Sequence, residues 1–168
     1  MQIKDKVFEI YGDNVAAEQI AHTKHVTELT PKGLSSACML DIDPDFHKKM
    51  QIGRIMVAGK NFGCNSSREW APAALKYSDV QIIIAESFAR IFFRNAINIG
   101  LPILECENMA EFCKPGDELD IDLTTGEIKN LTSKATKKGT ILPEFLLKIM
   151  SGGGLLETLK AEMKEGVQ

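Results

Sequence analysis

Runs of apolar and polar residues divide the chain into segments of different period. Val80 to Ala85, Val-Gln-Ile-Ile-Ile-Ala, is β-branched and nearly continuous, the pattern of a strand buried on both faces of a parallel sheet. Arg54 to Ala58, the end of an apolar run from Ile52, reads the same way. Phe88, Ile91, Phe92 and Ile99 fall near helical spacing, and Gly100 stands where a glycine cap ends a helix. Leu101 to Glu105 returns as a strand. Segments 52–58, 71–77, 80–85, 88–99 and 101–105 thus alternate β-α-β-α-β, which predicts an α/β sheet with crossover helices.

The flanks are less regular. Lys6 to Tyr11 predicts an opening strand, and Gly12 to Thr30 is polar and reads as a long ordered loop. Pro31 to Ser36 predicts a short helix, Ala37 to Ile42 a strand ended by Asp43-Pro44-Asp45, and Phe46 to Met50 a helical turn. Leu119 to Leu123 alternates, Thr124 to Glu127 supplies turn residues, and Ile128 to Leu131 returns, so a β-hairpin is expected. Pro143 opens a helix carrying Leu146, Leu147 and Met150. Ser151 to Gly154 breaks it, and Leu155 to Lys164 forms the last helix.

Composition narrows the classes. A chain of 168 residues suits one domain, 1–168, with a full core. Net charge is −3, which argues against a dedicated nucleic-acid binder. No apolar run spans a membrane and Met1 to Glu9 has no signal-peptide core, so a cytoplasmic protein is expected. The four cysteines, Cys38, Cys64, Cys106 and Cys113, form no Cys-x-x-Cys pair. No metal site of the chain's own is expected, and reduced thiols are.

Residues 59–72, Gly-Lys-Asn-Phe-Gly-Cys-Asn-Ser-Ser-Arg-Glu-Trp-Ala-Pro, concentrate the candidate chemistry. A strand-to-helix turn leaves backbone N–H groups free to meet an anion, and Arg68 adds a cationic fork. Gly59 and Gly63 permit close approach of backbone to ligand. The competing reading is structural: Ser66 and Glu69 are spaced as a capping box. A helix starting at Ser66 would be strained by Pro72, whereas one starting near Glu69 would hold Pro72 in its first turn. The turn is neither a P-loop nor a nucleophile elbow.

This segment, followed by Glu86-Ser87-Phe88-Ala89-Arg90-Ile91-Phe92-Phe93-Arg94-Asn95-Ala96-Ile97-Asn98-Ile99-Gly100, resembles the small-subunit family of 3-isopropylmalate dehydratase, in the aconitase superfamily. The resemblance runs over nearly the whole chain, including the Thr-Gly-Glu turn and the glycine run before the last helix. It implies a swivelling β/β/α layered domain with a mixed sheet, as in the aconitase C-terminal domain. It implies a large partner subunit carrying a [4Fe-4S] cluster, an active site between the subunits, and a small 2-hydroxy dicarboxylate as substrate. The implied activity is a hydro-lyase that interconverts 3- and 2-isopropylmalate through dehydration and rehydration, in leucine biosynthesis. By the family pattern Ser66 is the proton-abstracting base, and Ser67 and Arg68 bind substrate and stabilise charge.

The departures bear on substrate. Asn65 stands where many relatives have Gly, and Trp70 where a His is frequent. Glu18 falls at a usual Asp position, either an active-site carboxylate or a surface charge. His25, Val26 and Thr27 match the loop that selects substrate in the family. Thr27 offers neither an Arg for a distant carboxylate nor a large apolar side chain for an isopropyl group. Dimethylmalate, homoaconitate and citramalate types therefore stay open as substrates, and a non-catalytic anion-binding module stays open as a class.

Other residues have plainer readings. Lys60 either steers an anionic substrate or is a solvated lysine. Arg90 and Arg94 either bind substrate or belong to an ion-paired helix surface with Glu86. Asn95 and Asn98 are expected to satisfy backbone groups near Gly100, and His22 and His25, three apart with no third ligand, to be loop histidines.

Overall fold

The computed structural model describes residues 1–165 and contains a seven-stranded mixed sheet in the order β4-β3-β2-β1-β5-β6-β7. The strands are β1 (Gln2–Tyr11), β2 (Ile55–Ala58), β3 (Ile82–Ala85), β4 (Ile103–Glu105), β5 (Glu118–Asp122), β6 (Glu127–Asn130) and β7 (Ala135–Lys138). β1 to β4 run parallel, in register Val57↔Ile84 and Ile84↔Leu104. β5, β6 and β7 add an antiparallel meander to the other side of β1.

β1 joins the two halves. Gln2 to Lys6 pair antiparallel with β5, and Val7 to Tyr11 pair parallel with β2. The register shifts between Val7 and Glu9, a bulge that lets the strand bend between its partners. Strand residues alternate between two cores, as the period of 2 requires. Met56, Ala58, Ile83 and Ala85 face one; Ile55, Val57, Ile82 and Ile84 face the other. The second core also contains Leu119, Ile121 and Ile128 of the meander, so the sheet curls and its two halves pack face to face. Helices cover the opposite face, giving β/β/α layers.

The helices on the crossovers are α1 (Ala17–Ile20), α2 (Pro31–Ser36), α3 (Phe46–Lys49), α4 (Trp70–Tyr77) and α5 (Arg90–Asn98). α6 (Met109–Phe112), α7 (Glu144–Ser151) and α8 (Leu155–Glu165) follow. α2 has Thr30 as cap, its hydroxyl accepting from Gly33 N at 3.1 Å, with Pro31 at the first position. α5 ends in a Schellman turn: Leu101 N donates to Ala96 O and Gly100 N to Ile97 O, both at 2.9 Å.

Three expectations change. Ala37 to Ile42 is a turn rather than a strand. Met39 takes φ 61°, and its carbonyl accepts from both Ile42 N and Asp43 N. Ala37, Cys38 and Met39 are buried, which explains the strand-like pattern. The 12–30 segment, read as a loop, holds the short helix α1. The hairpin gains a third strand, β7, whose Ala-Thr-Lys-Lys sequence hides its period because it is an exposed, lysine-bearing edge.

Candidate functional site

Four loops leave the carboxyl ends of the parallel strands together, the usual ligand face of an open α/β sheet. The 59–68 loop lies between residues 12–16 and 86–89. Lys60 N donates to Asp13 Oδ1 at 2.7 Å, Asn14 N to Lys60 O at 2.8 Å, and Asn61 Nδ2 to Asn14 Oδ1 at 2.9 Å. Gly63 N donates to Val15 O and Ala17 N to Cys64 O, both at 2.8 Å. On the other side Asn61 N donates to Ser87 Oγ at 2.9 Å, and Phe62 N to Ser87 O at 3.0 Å. The turn is thus stitched to both neighbours by backbone.

Two glycines make this possible. A Cβ on Gly59 would meet Asp13 Oδ1 at 2.0 Å. Gly63 takes φ +79°, and a Cβ there would meet the Phe92 ring at 2.2 Å. Asn65 takes the left-handed conformation at φ 66°, which Asn tolerates better than most residues.

The capping box does not form. α4 begins at Trp70 with Glu69 as cap residue and no side-chain cap bond, which places Pro72 in the first turn. The Ser66 hydroxyl instead accepts from Arg68 N at 3.2 Å. Ser66 and Ser67, with Asn65, line an open pocket of about 430 Å³ whose other wall is Ala89, Arg90 and Ile91. Arg68 is exposed, its guanidinium carbon 5.6 Å from the Trp70 ring centre.

The other candidates do not line this pocket. Glu18 is half-buried on α1. Lys60 is exposed, with Nζ 3.9 Å from Glu86 Oε2. His25 and Val26 are half-buried and Thr27 is exposed. Their loop is clasped by Asp41, which pairs with Lys24 and lies 3.6 Å from His25 Nε2. The hydrogen bond from Lys24 holds the Asp41 carboxyl below the usual carboxylate range, so the clasp persists from neutral pH down and is lost as pH falls through that lowered value. Asp41→Asn is expected to speed tryptic cleavage after Lys24 several-fold at neutral pH with little change in melting temperature, as read by limited proteolysis and a thermal melt.

The structure corrects two side-chain readings. Glu86 precedes α5 and does not pair with Arg90; it meets Lys60 and accepts from Asn108 N at 3.2 Å. Asn95 reaches away from Gly100, its Nδ2 donating to Ser67 O at 3.5 Å, while Asn98 is exposed. Sequence reasoning missed the brace of Asp13, Asn14, Asn61 and Ser87; the Gly-Asp-Asn turn at 12–14 was its one visible signal.

A larger pocket of about 490 Å³ lies beside β4, lined by Glu86, Glu105 and Glu107 with Lys137 and Lys138 among others. Three carboxylates against two ammonium groups make it a poorer seat for a dianion than the hydroxyl-lined pocket. Among the described residues, no group of three or more His, Cys, Asp or Glu could hold a metal ion. All four cysteines are buried, and burial pushes the Cys38 and Cys113 thiols up to about 12, away from the thiolate a metal needs. No described helix is long and apolar enough to cross a membrane.

Residues 10–109 match the family model of the aconitase C-terminal domain. The chain belongs to that family. Within it, the isopropylmalate/citramalate isomerase small subunit of Methanocaldococcus jannaschii is 49% identical, with 97% of this chain and 96% of the relative covered. The 3-isopropylmalate dehydratase small subunit of Caldicellulosiruptor bescii is 48% identical over 98% of this chain and 99% of the relative. A crystal structure of 3-isopropylmalate dehydratase from Methanocaldococcus jannaschii superposes with a TM-score of 0.90 at 38% identity, covering 99% of this chain and 98% of that one. The curled mixed sheet is therefore the aconitase C-terminal architecture that the resemblance implied.

Proposed function

We propose that this chain is the small subunit of a two-subunit hydro-lyase that isomerises 2- and 3-isopropylmalate, a step of leucine biosynthesis, by dehydration and rehydration. Near-full-length similarity to small subunits so named supports the partner and the substrate class. The observation that carries the chemistry is the Ser66 hydroxyl at a pocket mouth with the Arg68 N–H aimed at its oxygen.

Removing a proton next to a carboxylate needs a base, and a serine is a very weak one unless its alkoxide is favoured. The Arg68 N–H donates to Oγ and strengthens as that oxygen gains charge. The Arg68 side chain adds positive potential next to it, and closure by the partner removes water. As the alkoxide, Ser66 takes the carbon-bound proton to become a hydroxyl, and it returns that proton on rehydration. Ser67, one residue on, donates its hydroxyl to a substrate carboxylate, and the exposed Arg68 turns from Trp70 onto the same group. Lys60, at the edge of these loops, steers the dianion. A [4Fe-4S] cluster on the large subunit, when bound, supplies a Lewis acid for the departing hydroxyl.

Glu18 and the 25–27 loop act from the α1 side as substrate selectors. One relative's name includes citramalate, and Thr27 supplies neither a cation nor a bulky apolar group, so smaller alkyl substrates belong in the test. The chain is mixed anaerobically with its large subunit and a panel of 2-hydroxy diacids, and alkene formation is followed by ultraviolet absorbance. Turnover of isopropylmalate is expected, with Thr27→Arg shifting preference about 10-fold or more toward substrates with a distal carboxylate. Stable assembly with an intact cluster and no turnover of any diacid would sink the enzymatic reading in favour of a binding module.

A further inference from the structure

We infer that Arg90 is a second carboxylate-binding residue of the Ser66 pocket, so that the site holds a dicarboxylate between two guanidinium groups; this rests on the hydro-lyase reading above. Arg90 lines the same pocket as Ser66 and Ser67. Among the described residues it has no carboxylate partner. Glu86, the acid four residues earlier, is held by Lys60 and the Asn108 N–H. An exposed guanidinium left unpaired at the wall of a hydroxyl-lined pocket is placed for an anion from solution.

Its position relative to the serines is fixed. Ala89 N donates to Phe62 O at 2.9 Å, Phe62 N donates to Ser87 O at 3.0 Å, and Asn95 of the same helix reaches Ser67 O. The rings of Phe62, Phe88 and Phe92 pack beneath these bonds, so the start of α5 and the serine turn are set as one piece. Arg68 directly follows the serine pair, its N–H on Ser66 Oγ and its guanidinium against Trp70. One arginine thus stands on the serine side and one on the facing wall, a pair that suits the two carboxylates of a 2-hydroxy diacid once Arg68 turns from Trp70. Ile91, 43% exposed beside Arg90, supplies an apolar contact for the alkyl branch between them.

The test uses the assembled two-subunit enzyme with Arg90→Gln and Arg90→Lys. Loss of one charge-assisted contact is expected to raise KM about 10- to 100-fold, with a smaller change in kcat and partial recovery in Arg90→Lys. A half-amide of the substrate, neutral at the carboxylate assigned to Arg90, should bring wild type and Arg90→Gln together. An unchanged KM overturns the inference, as does an equal penalty on diacid and half-amide. A defect cured by excess large subunit also overturns it, since Arg90 would then belong to the subunit interface. If wild type turns over while Arg90→Gln is indistinguishable from it, only the Arg90 assignment fails. If wild type turns over no diacid, the hydro-lyase reading fails and takes this inference with it.

Discussion

Ser66→Ala is expected to lower turnover of the assembled enzyme by about 10²- to 10⁴-fold, the range lost when a positioned acid–base group is removed. The substitution deletes one oxygen from a half-exposed residue, and among the described residues that oxygen accepts one hydrogen bond, from Arg68 N. Stability should therefore change by only about 0.5–1 kcal/mol, and assembly with the large subunit should be unchanged. Among the described residues, no carboxylate or imidazole lines the pocket to take over the proton. Ser67→Ala should fall less and mainly through KM, because its proposed part is to hold a carboxylate. Steady-state rates with saturating large subunit separate the two. If Ser66→Ala kept wild-type rates, the base would lie elsewhere.

Phe62→Ala is expected to cost about 3–5 kcal/mol, the largest stability loss among the residues of the motif. The Phe62 side chain is fully buried. Its ring meets Phe92 edge-on at 5.3 Å and Phe88 at 6.2 Å, while those two stack on each other at 6.1 Å. Truncation opens a cavity that the stitched backbone on both sides cannot collapse into. For a chain of this size the loss corresponds to a fall of roughly 6–20 °C in Tm, read by a thermal melt. Activity should fall as well, since Phe62 joins the serine turn to the start of α5. Phe62→Leu, which keeps most of the volume, should cost about 1–2 kcal/mol.

The parallel half of the fold was legible because its signals are short-range. β3 is apolar on both faces, α5 carries its stripe and its glycine cap, and the connections are short. What was not legible depends on partners distant in sequence. Ala37 to Ile42 has a strand's composition but packs as a buried turn, because Met39 N bonds to Ile20 O across the crossover. β7 is polar because it is an edge, so no alternation marks it. At the site, the residue types that attract an anion were visible, but the Ser66–Glu69 spacing suggested a capping box that Pro72 displaces by setting the helix start at Trp70. The four-residue spacing of Glu86 and Arg90 left an ion-paired surface open beside substrate binding; α5 begins at Arg90 itself, and Glu86 turns to Lys60. The Asp41 clasp on the 22–27 loop joins residues more than a dozen positions apart and had no local signature at all.

The most direct test follows the proton. The assembled enzyme is incubated with isopropylmalate in deuterated water, and loss of the carbon-bound hydrogen is read by NMR. Wild type is expected to exchange at a rate comparable to turnover, and Ser66→Ala to exchange about 10²- to 10⁴-fold more slowly while still binding substrate and large subunit. Exchange by Ser66→Ala at the wild-type rate would contradict the account, because proton removal would then not belong to this chain's serine.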